Sequence, residues 1–459
     1  MNYTENKDQI IGIIGLGKIG YNVAKQFEKQ EIKLAVYDSD ENKLKRIKNC
    51  SFLIKAKSIK GLVKLVTPPR LLLIFLPSDV IDKIIPNLLT VLEPFDILVD
   101  AGNSHFKDTE LREKIAKSNS VRYLGVGMSG GIEGAKNGLC MMVGGSNIAY
   151  KIFKKRVSPI LWPSNKDHAC LRYGSGGAGH LAKIIHNGVE YAKIQLISEI
   201  YNFCFLHKIS HHTIQYFFDS INLNSYLLSC AIKTLSTKDE SSGGLVLDNI
   251  LGKSESNGTG LWSFLAACEY NVYVPSISSA VDARNLDVSK KSYYKYNRLS
   301  KREEKSLLDQ MKFVYLFSEK IIYSQGIDLL ISSGISQKII QPPEKVLMNW
   351  KAGSIIRSDT LNQLIEKLQR HKKDKKNTEE KSFLNISKVE TDNVLEFIKS
   401  SLNKSIPIPL IISSYNYYLC KENGNRWGMM TQAIRDVFGG HGFYTKNGRK
   451  RKSIKWKSN

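Results

Sequence analysis

The segment from His180 to Tyr191, HLAKIIHNGVEY, places Asn187, Glu190 and Tyr191 at offsets of 4, 7 and 8 residues from Lys183. That spacing puts all four side chains on one face of a helix. An amine, a carboxamide, a carboxylate and a phenol on a common face can supply a proton acceptor, a proton donor and two orienting groups. A solvated amphipathic helix with a Lys/Glu pair has the same ingredients, and two features argue for a site instead. The run Gly174 to Gly179, GSGGAG, is a turn-rich lead-in that lets a helix start against a ligand. The opposite face, Leu181, Ile184, Ile185, Val189 and Ile194, is apolar enough to be packed, so the polar face is expected to look into a cleft.

The elements that must position this helix begin near the N-terminus. An apolar run from Gln9 to Ile14 ends in Gly15-Leu-Gly17-Lys18-Ile19-Gly20, after which Val23, Ala24 and Phe27 keep helical period. A second apolar run, Ile32 to Tyr37, ends at Asp38, 18 residues after the last of those glycines. Strand, glycine turn, helix, strand and acid is the pattern of a dinucleotide site. The first two glycines allow a tight turn and close approach of a pyrophosphate, the third lets helix and strand pack closely, and the helix N-terminus offers free amides to the anion. Further short strands are expected at Leu71 to Leu76, Ile97 to Val99, Tyr123 to Val126 and Met141 to Val143, which makes an α/β Rossmann-type doubly wound sheet. Groups just beyond the carboxyl ends of such strands line the ligand crevice. Leu76, the cluster Asp100-Ala-Gly102-Asn103-Ser104 and the cluster Met128-Ser129-Gly130-Gly131 all fall there, where a nicotinamide and its substrate would meet.

From about residue 177 the periodicity turns helical, near 178–208, 261–271, 305–333 and 390–403, and Pro407 and Pro409 break it. The expected organisation is a dinucleotide-binding domain over 1–176, a large all-helical substrate and dimerisation domain over 177–444, and a basic C-terminal tail over 445–459. Composition, at 42% hydrophobic and 24% charged, is that of an ordinary globular protein. No run of 18 apolar residues occurs, and LLLIFL at 71–76 is closed by Pro77, so it reads as a buried strand and no membrane partner is expected. The N-terminus, MNYTENKDQ, has no secretory pattern, and the seven cysteines are scattered with no CxxC, so a cytoplasmic location with reduced thiols and no metal site is expected. The net charge of +24 is spread along the chain as lysine. Its densest clusters, RHKKDKK at 370–376 and NGRKRKSIKWK at 447–457, lack the interleaved aromatics of a base-stacking platform, so no specific nucleic-acid partner is expected.

With the glycine loop, GNS at 102–104, SGG at 129–131 and the Lys183 helix in that order, the chain resembles the long-chain 6-phosphogluconate dehydrogenases (decarboxylating). The likeness runs end to end through GAGHLAKIIHNGVEY, GTGLW at 258–262, AVDAR at 280–284, AGSIIRS at 352–358 and AIRDVFGGH at 433–441. The shorter β-hydroxyacid dehydrogenases share the first half but lack the long helical domain. The resemblance implies oxidation of 6-phosphogluconate at C3, loss of C1 as carbon dioxide and tautomerisation to ribulose 5-phosphate, a step of the pentose phosphate pathway. It implies Lys183 as general base on the 3-hydroxyl and Glu190 as the acid that protonates C1 of the enediol. Asn103, Ser129, Gly130, Gly131 and Asn187, with His186 beside them, resemble the sugar-acid binding set. Tyr191, Thr259, Arg284 and Arg435 resemble the phosphate clamp, which His441 completes. The late arginine and histidine enter from the neighbouring subunit in this family, so a homodimer with shared sites is implied. Gly15, Gly17, Lys18, Ile19, Gly20, Asp38, Leu76 and Asn103 are the implied cofactor contacts.

The chain also departs from the family pattern. Asp38, Ser39 and Asp40 replace the usual Asn-Arg-Thr that holds a 2′-phosphate, and a carboxylate there prefers a free 2′-hydroxyl, which favours NAD where family usage favours NADP. Lys43 and Lys45 stand close enough in sequence to rescue a phosphate. Asn257 replaces the lysine before GTG, Ile132 replaces the first of two glutamates and leaves Glu133, Pro77-Ser78-Asp79 replaces Lys-Ala-Gly, and the segment around Ile221 is shortened. These changes bear on substrate affinity more than on chemistry, and a raised KM for 6-phosphogluconate is expected. Two other readings compete: a β-hydroxyacid dehydrogenase acting on an unphosphorylated acid, and a catalytically weakened member that binds RNA through its basic surface.

Overall fold

The computed structural model describes residues 9–456 apart from 49, 222, 256–257, 287–295, 297, 336–337, 374–383, 385, 425, 447 and 449–450; the side chains of 335 and 371–373 are also outside the description. Asn257, residues 374–376 of the basic cluster and the side chains of 371–373 therefore lie outside the description.

Eight strands form one sheet: β1 (Ile11–Ile14), β2 (Leu34–Tyr37), β3 (Leu53–Lys55), β4 (Leu71–Ile74), β5 (Ile97–Asp100), β6 (Arg122–Ser129), β7 (Cys140–Gly145) and β8 (Cys170–Gly174). Their order is β3-β2-β1-β4-β5-β6-β7-β8, parallel throughout except for the antiparallel pair β6 and β7. Every residue of β1, β4 and β5 is buried, as their unbroken apolar runs demand when both sheet faces are covered. The direction of winding reverses between β1 and β4, which opens a crevice beyond their carboxyl ends. The doubly wound sheet is the one expected from sequence. Two strands escaped the sequence reading: β3 has only three residues and one of them is exposed, and β8 acquires its strand character by pairing with β7.

The helical half is built around Ala178–Leu206, a helix of 29 residues that spans roughly 44 Å at the standard rise. It packs on Thr259–Glu269, Pro275–Asn285 and Lys301–Ile335, and its N-terminal turns lie against β6 and β7. Leu181, Ile184, Ile185 and Val189 are buried on its apolar side. The prolines do not end the helical pattern. Pro409 opens a further helix, Pro409–Asn423, because its fixed φ suits the first helical position and the amide it lacks would have had no partner there. The free amides of that first turn, Leu410 N and Ile411 N, donate to the Glu199 carboxylate at 2.9 and 3.1 Å.

A last helix, Trp427–Gly439, is followed by a two-stranded hairpin, β9 (Phe443–Tyr444) and β10 (Arg451–Lys452). The expected limit at 444/445 thus runs between a strand and its turn. The buried Asp436 carboxylate holds this unit together by accepting from Gly442 N at 2.6 Å, Ser453 Oγ at 2.9 Å and Trp456 Nε1 at 2.9 Å.

Candidate active site

A cleft of about 640 Å³ lies between the carboxyl edge of the sheet and the polar face of Ala178–Leu206. Gly17 to Gly20, Leu76 to Ser78, Ala101 to Asn103 and Met128 to Gly131 form its sheet side, and Lys183, Asn187, Glu190, Tyr191, Thr259, Arg284 and Ile355 form its helical side. The four residues spaced along one helix face therefore do share one cavity.

At the dinucleotide end, Gly15 has φ +96°, and a Cβ there would lie 2.5 Å from Phe75 O. Gly17 precedes the helix Lys18–Lys29 without any side-chain cap, and nothing lies within 4 Å of where its Cβ would be. An uncapped helix N-terminus facing open space suits a pyrophosphate. Gly15 and Asp38 stand behind the cleft surface. Asp38 Oδ2 accepts from Leu16 N at 2.7 Å and Oδ1 from Asp40 N at 2.9 Å, with Lys43 Nζ at 3.6 Å. The acid at the end of β2 thus braces the glycine loop, and each oxygen keeps acceptor capacity.

At the chemical end, Gly127 on β6 makes room for the lysine stem, since a Cβ there would sit 2.3 Å from Lys183 Cβ. Lys183 Nζ lies 3.3 Å from His186 Nδ1, His186 Nε2 lies 2.9 Å from Ser129 Oγ, and Ser129 Oγ accepts from Ile355 N at 3.1 Å. Burial pushes the Lys183 pKa down, with the Glu190 charge opposing. Burial pushes the Glu190 pKa up, with Lys183 and Arg284 opposing. His186 is held well below its usual value by burial and by the lysine charge, so it is neutral. His186 Nδ1 also lies 3.3 Å from Asn187 Oδ1, so the imidazole joins Lys183, Asn187 and Ser129 in one polar chain behind the cleft. The Arg284 guanidinium stacks 3.3 Å from the Tyr191 ring centroid, and Thr259 is the first residue of its helix, so a cation and free amides meet where an anion would sit.

Asn103, Ser129, Gly130, Gly131, Asn187, Tyr191, Thr259 and Arg284 all line the cleft, as do Lys18, Ile19, Gly20 and Leu76. His186 is fully buried behind Ser129 and Lys183. Arg435 and His441 are exposed on the C-terminal unit and do not line the cleft of their own chain. Ile132 is exposed and also stands outside the lining. Sequence reasoning missed Ile355 as a site residue, although it sits in the quoted AGSIIRS run, and missed Leu139; Pro77 and Ser78, noted from sequence only as a departure from the family pattern, also line the cleft. Among the described residues no group of three or more His, Cys, Asp or Glu could hold a metal ion, and no helix is long and apolar enough to cross a membrane.

Residues 10–163 match the family model described as the NAD binding domain of 6-phosphogluconate dehydrogenase, and residues 179–456 match that of the 6-phosphogluconate dehydrogenase C-terminal domain. The chain belongs to the 6-phosphogluconate dehydrogenase family. It is 29% identical over 452 residues to the decarboxylating 6-phosphogluconate dehydrogenase of Lactococcus lactis subsp. lactis, covering 94% of this chain and 95% of that one. It is 30% identical over 457 residues to the NADP(+)-dependent, decarboxylating 6-phosphogluconate dehydrogenase of Bacillus subtilis, covering 94% and 96%. A solved structure of Plasmodium falciparum 6-phosphogluconate dehydrogenase, studied in its apo form and in complex with NADP+ and with 6-phosphogluconate, superposes with a TM-score of 0.85 at 26% identity. That likeness covers 97% of this chain and all of the other, so the family resemblance embraces both the sheet and the helical half.

Proposed function

We propose that this chain catalyses the NAD(P)-linked oxidative decarboxylation of 6-phosphogluconate to ribulose 5-phosphate and carbon dioxide. The observation that carries the reading is the pair Lys183 and Glu190, two helical turns apart in one cleft, with pKa values displaced in opposite directions. Environments that push two groups apart in this way assign base and acid. A bound nicotinamide supplies the acceptor for the hydride that leaves C3. Lys183, as the neutral amine, takes the proton of the 3-hydroxyl. The resulting 3-keto acid loses C1 as carbon dioxide, and Lys183 returns its proton to the C3 oxygen, so that the electron pair of the broken bond is held in an enediol between the former C2 and C3. Glu190, as the carboxylic acid, protonates the former C2, which becomes C1 of ribulose 5-phosphate, while Lys183 takes the C3 hydroxyl proton and the ketone forms. Asn103, Ser129, Gly130, Gly131 and Asn187, with His186 behind them, hold the sugar acid, while Tyr191, Thr259 and Arg284 hold its phosphate.

Arg435 and His441 belong to this site as contributions from a second copy, which makes the working unit a homodimer. The exposed apolar face of Trp427–Gly439, where Trp427 is 60% and Phe438 71% exposed, supports that reading. The same reading keeps a working division at 176/177, a cytoplasmic location and no specific nucleic-acid partner. Asp38 beside Asp40 favours NAD, and strong NADP selectivity in kcat/KM would overturn that preference.

Purified protein with 6-phosphogluconate and either cofactor should give reduced nicotinamide and carbon dioxide in equal amounts. Turnover of an unphosphorylated β-hydroxyacid in its place would sink the proposal. Arg284 at the cleft wall argues against that substrate, because an acid with a single carboxylate has no second anion to pair with the guanidinium.

A further inference from the structure

Arg112 lies on the helix Phe106–Ser118, one layer behind the cleft, and is 2% exposed. All five of its N–H donors have acceptors. Nε donates to Asp82 Oδ1 at 2.7 Å, Nη1 to Asp100 Oδ2 at 3.0 Å and Ser104 Oγ at 2.8 Å, and Nη2 to Ser78 O at 2.9 Å and Ser78 Oγ at 2.8 Å. The Asp100 carboxylate is saturated in turn, accepting also from Gly102 N at 3.0 Å, Ser104 Oγ at 2.8 Å and Tyr123 Oη at 3.0 Å.

These partners come from two neighbouring strand ends. Ser78 and Asp82 belong to the helix Ser78–Leu89 that follows β4, Asp100 ends β5 and Ser104 lies in the loop after it; both connections line the cleft, and they touch, since a Cβ on Gly102 would lie 2.5 Å from Leu76 O. Asn103 is flanked by Gly102 and Ser104, each bonded to Asp100, so its presentation to the cleft depends on the same network. We propose that Arg112 is a positioning residue for hydride transfer, a buried clamp that sets the gap between the two connections where the nicotinamide lies, with Ser78 as its adjustable arm. The inference rests on the reading of this cleft as an NAD(P) and sugar-acid site. Hydride transfer tolerates little error in donor–acceptor distance, and a displacement of about 1 Å costs on the order of 10²-fold.

The test uses the full-length protein, 6-phosphogluconate with hydrogen or deuterium at C3, and the variants Ser78→Ala and Arg112→Met. Ser78→Ala removes one hydroxyl from a partly exposed position and is expected to fold. It should raise the KM for the cofactor about threefold to tenfold and enlarge the deuterium effect on kcat, while the KM for 6-phosphogluconate stays within about twofold. Arg112→Met should go further in the same direction, and the double variant should be no worse than Arg112→Met alone, because both act through one network. A purely structural role would leave the isotope effect where it was. An active wild-type enzyme beside a Ser78→Ala variant with unchanged cofactor KM and isotope effect overturns the clamp alone. A wild-type enzyme that turns over neither cofactor overturns the functional reading and the clamp with it.

Discussion

Lys183 and Lys193 stand ten residues apart on one helix, and both are drawn out of water, yet their surroundings differ. Lys193 Nζ is matched by Glu319 Oε1 at 2.8 Å, Tyr323 Oη at 2.8 Å and Ile356 O at 3.2 Å. Glu319 is in turn served by Tyr315, Ser358 and Thr360. Three donors with three acceptors hold a charge in place and join this helix to the segment that carries Ile355. Lys183 Nζ, among the described residues, meets one ring nitrogen at 3.3 Å, and otherwise faces the cleft. The same side chain has its hydrogen bonds completed at one position and, at the other, donors turned toward the cleft, as the proposed base requires.

The contrast is broken most directly by Lys183→Met, which should lower kcat by about 10³-fold, within the span usual for a lost general base. Its midpoint in urea should hardly move. A variant retaining a tenth of the wild-type rate would remove this lysine from the mechanism. Lys193→Met should do the reverse, costing about 3 kcal/mol of folding stability by stranding a buried Glu319. Lys193→Met with Glu319→Leu should recover most of that loss, and failure of the pair to recover would show that the residues do not act as a unit.

Glu190→Gln sharpens the comparison through pH. The proposed mechanism needs neutral Lys183 and protonated Glu190, so the rate should fall on the acid side as the amine takes up a proton and on the alkaline side as the carboxyl loses one. The variant should lack the alkaline limb. Because Glu190 is already uncharged on the acid side, its replacement by the neutral amide should leave the acid limb where it was. A profile identical to wild type would dismiss Glu190 as the acid.

The smallest effect is expected from Glu199, another buried ionisable group on the same helix. Burial pushes its pKa from 4.5 up to about 7, against the bonds from Gln195, Leu410 and Ile411. A carboxyl whose folded pKa lies above its unfolded one stabilises the fold at low pH, and that stability is lost as pH rises through the folded value. Glu199→Gln should therefore flatten the pH dependence of Tm between about 4.5 and 7. An unchanged slope in that window would contradict the assignment.

Much of this was legible in the chain because local patterns dictate it. The glycine turn, the unbroken apolar runs and the helical spacing of Lys183, Asn187, Glu190 and Tyr191 are short-range signals, and the cleft assembles around them. Strand β8 and the helix opened by Pro409 were illegible because each depends on a partner far along the chain, β7 in one case and Glu199 in the other. Arg112 was invisible for the same reason: an arginine in an amphipathic helix reads as surface until the fold places Ser78, Asp82 and Asp100 around it.

Residue order alone determined the doubly wound sheet, the cofactor loop and which groups share a helix face, since periodicity and backbone sterics act over a few residues. Tertiary structure alone decided which lysine is saturated and which is left open, that His186 stands behind the site, and that Arg435 and His441 lie away from the cleft of their own chain. Burial and hydrogen-bond completion are properties of groups brought together across hundreds of residues, and no local pattern encodes them.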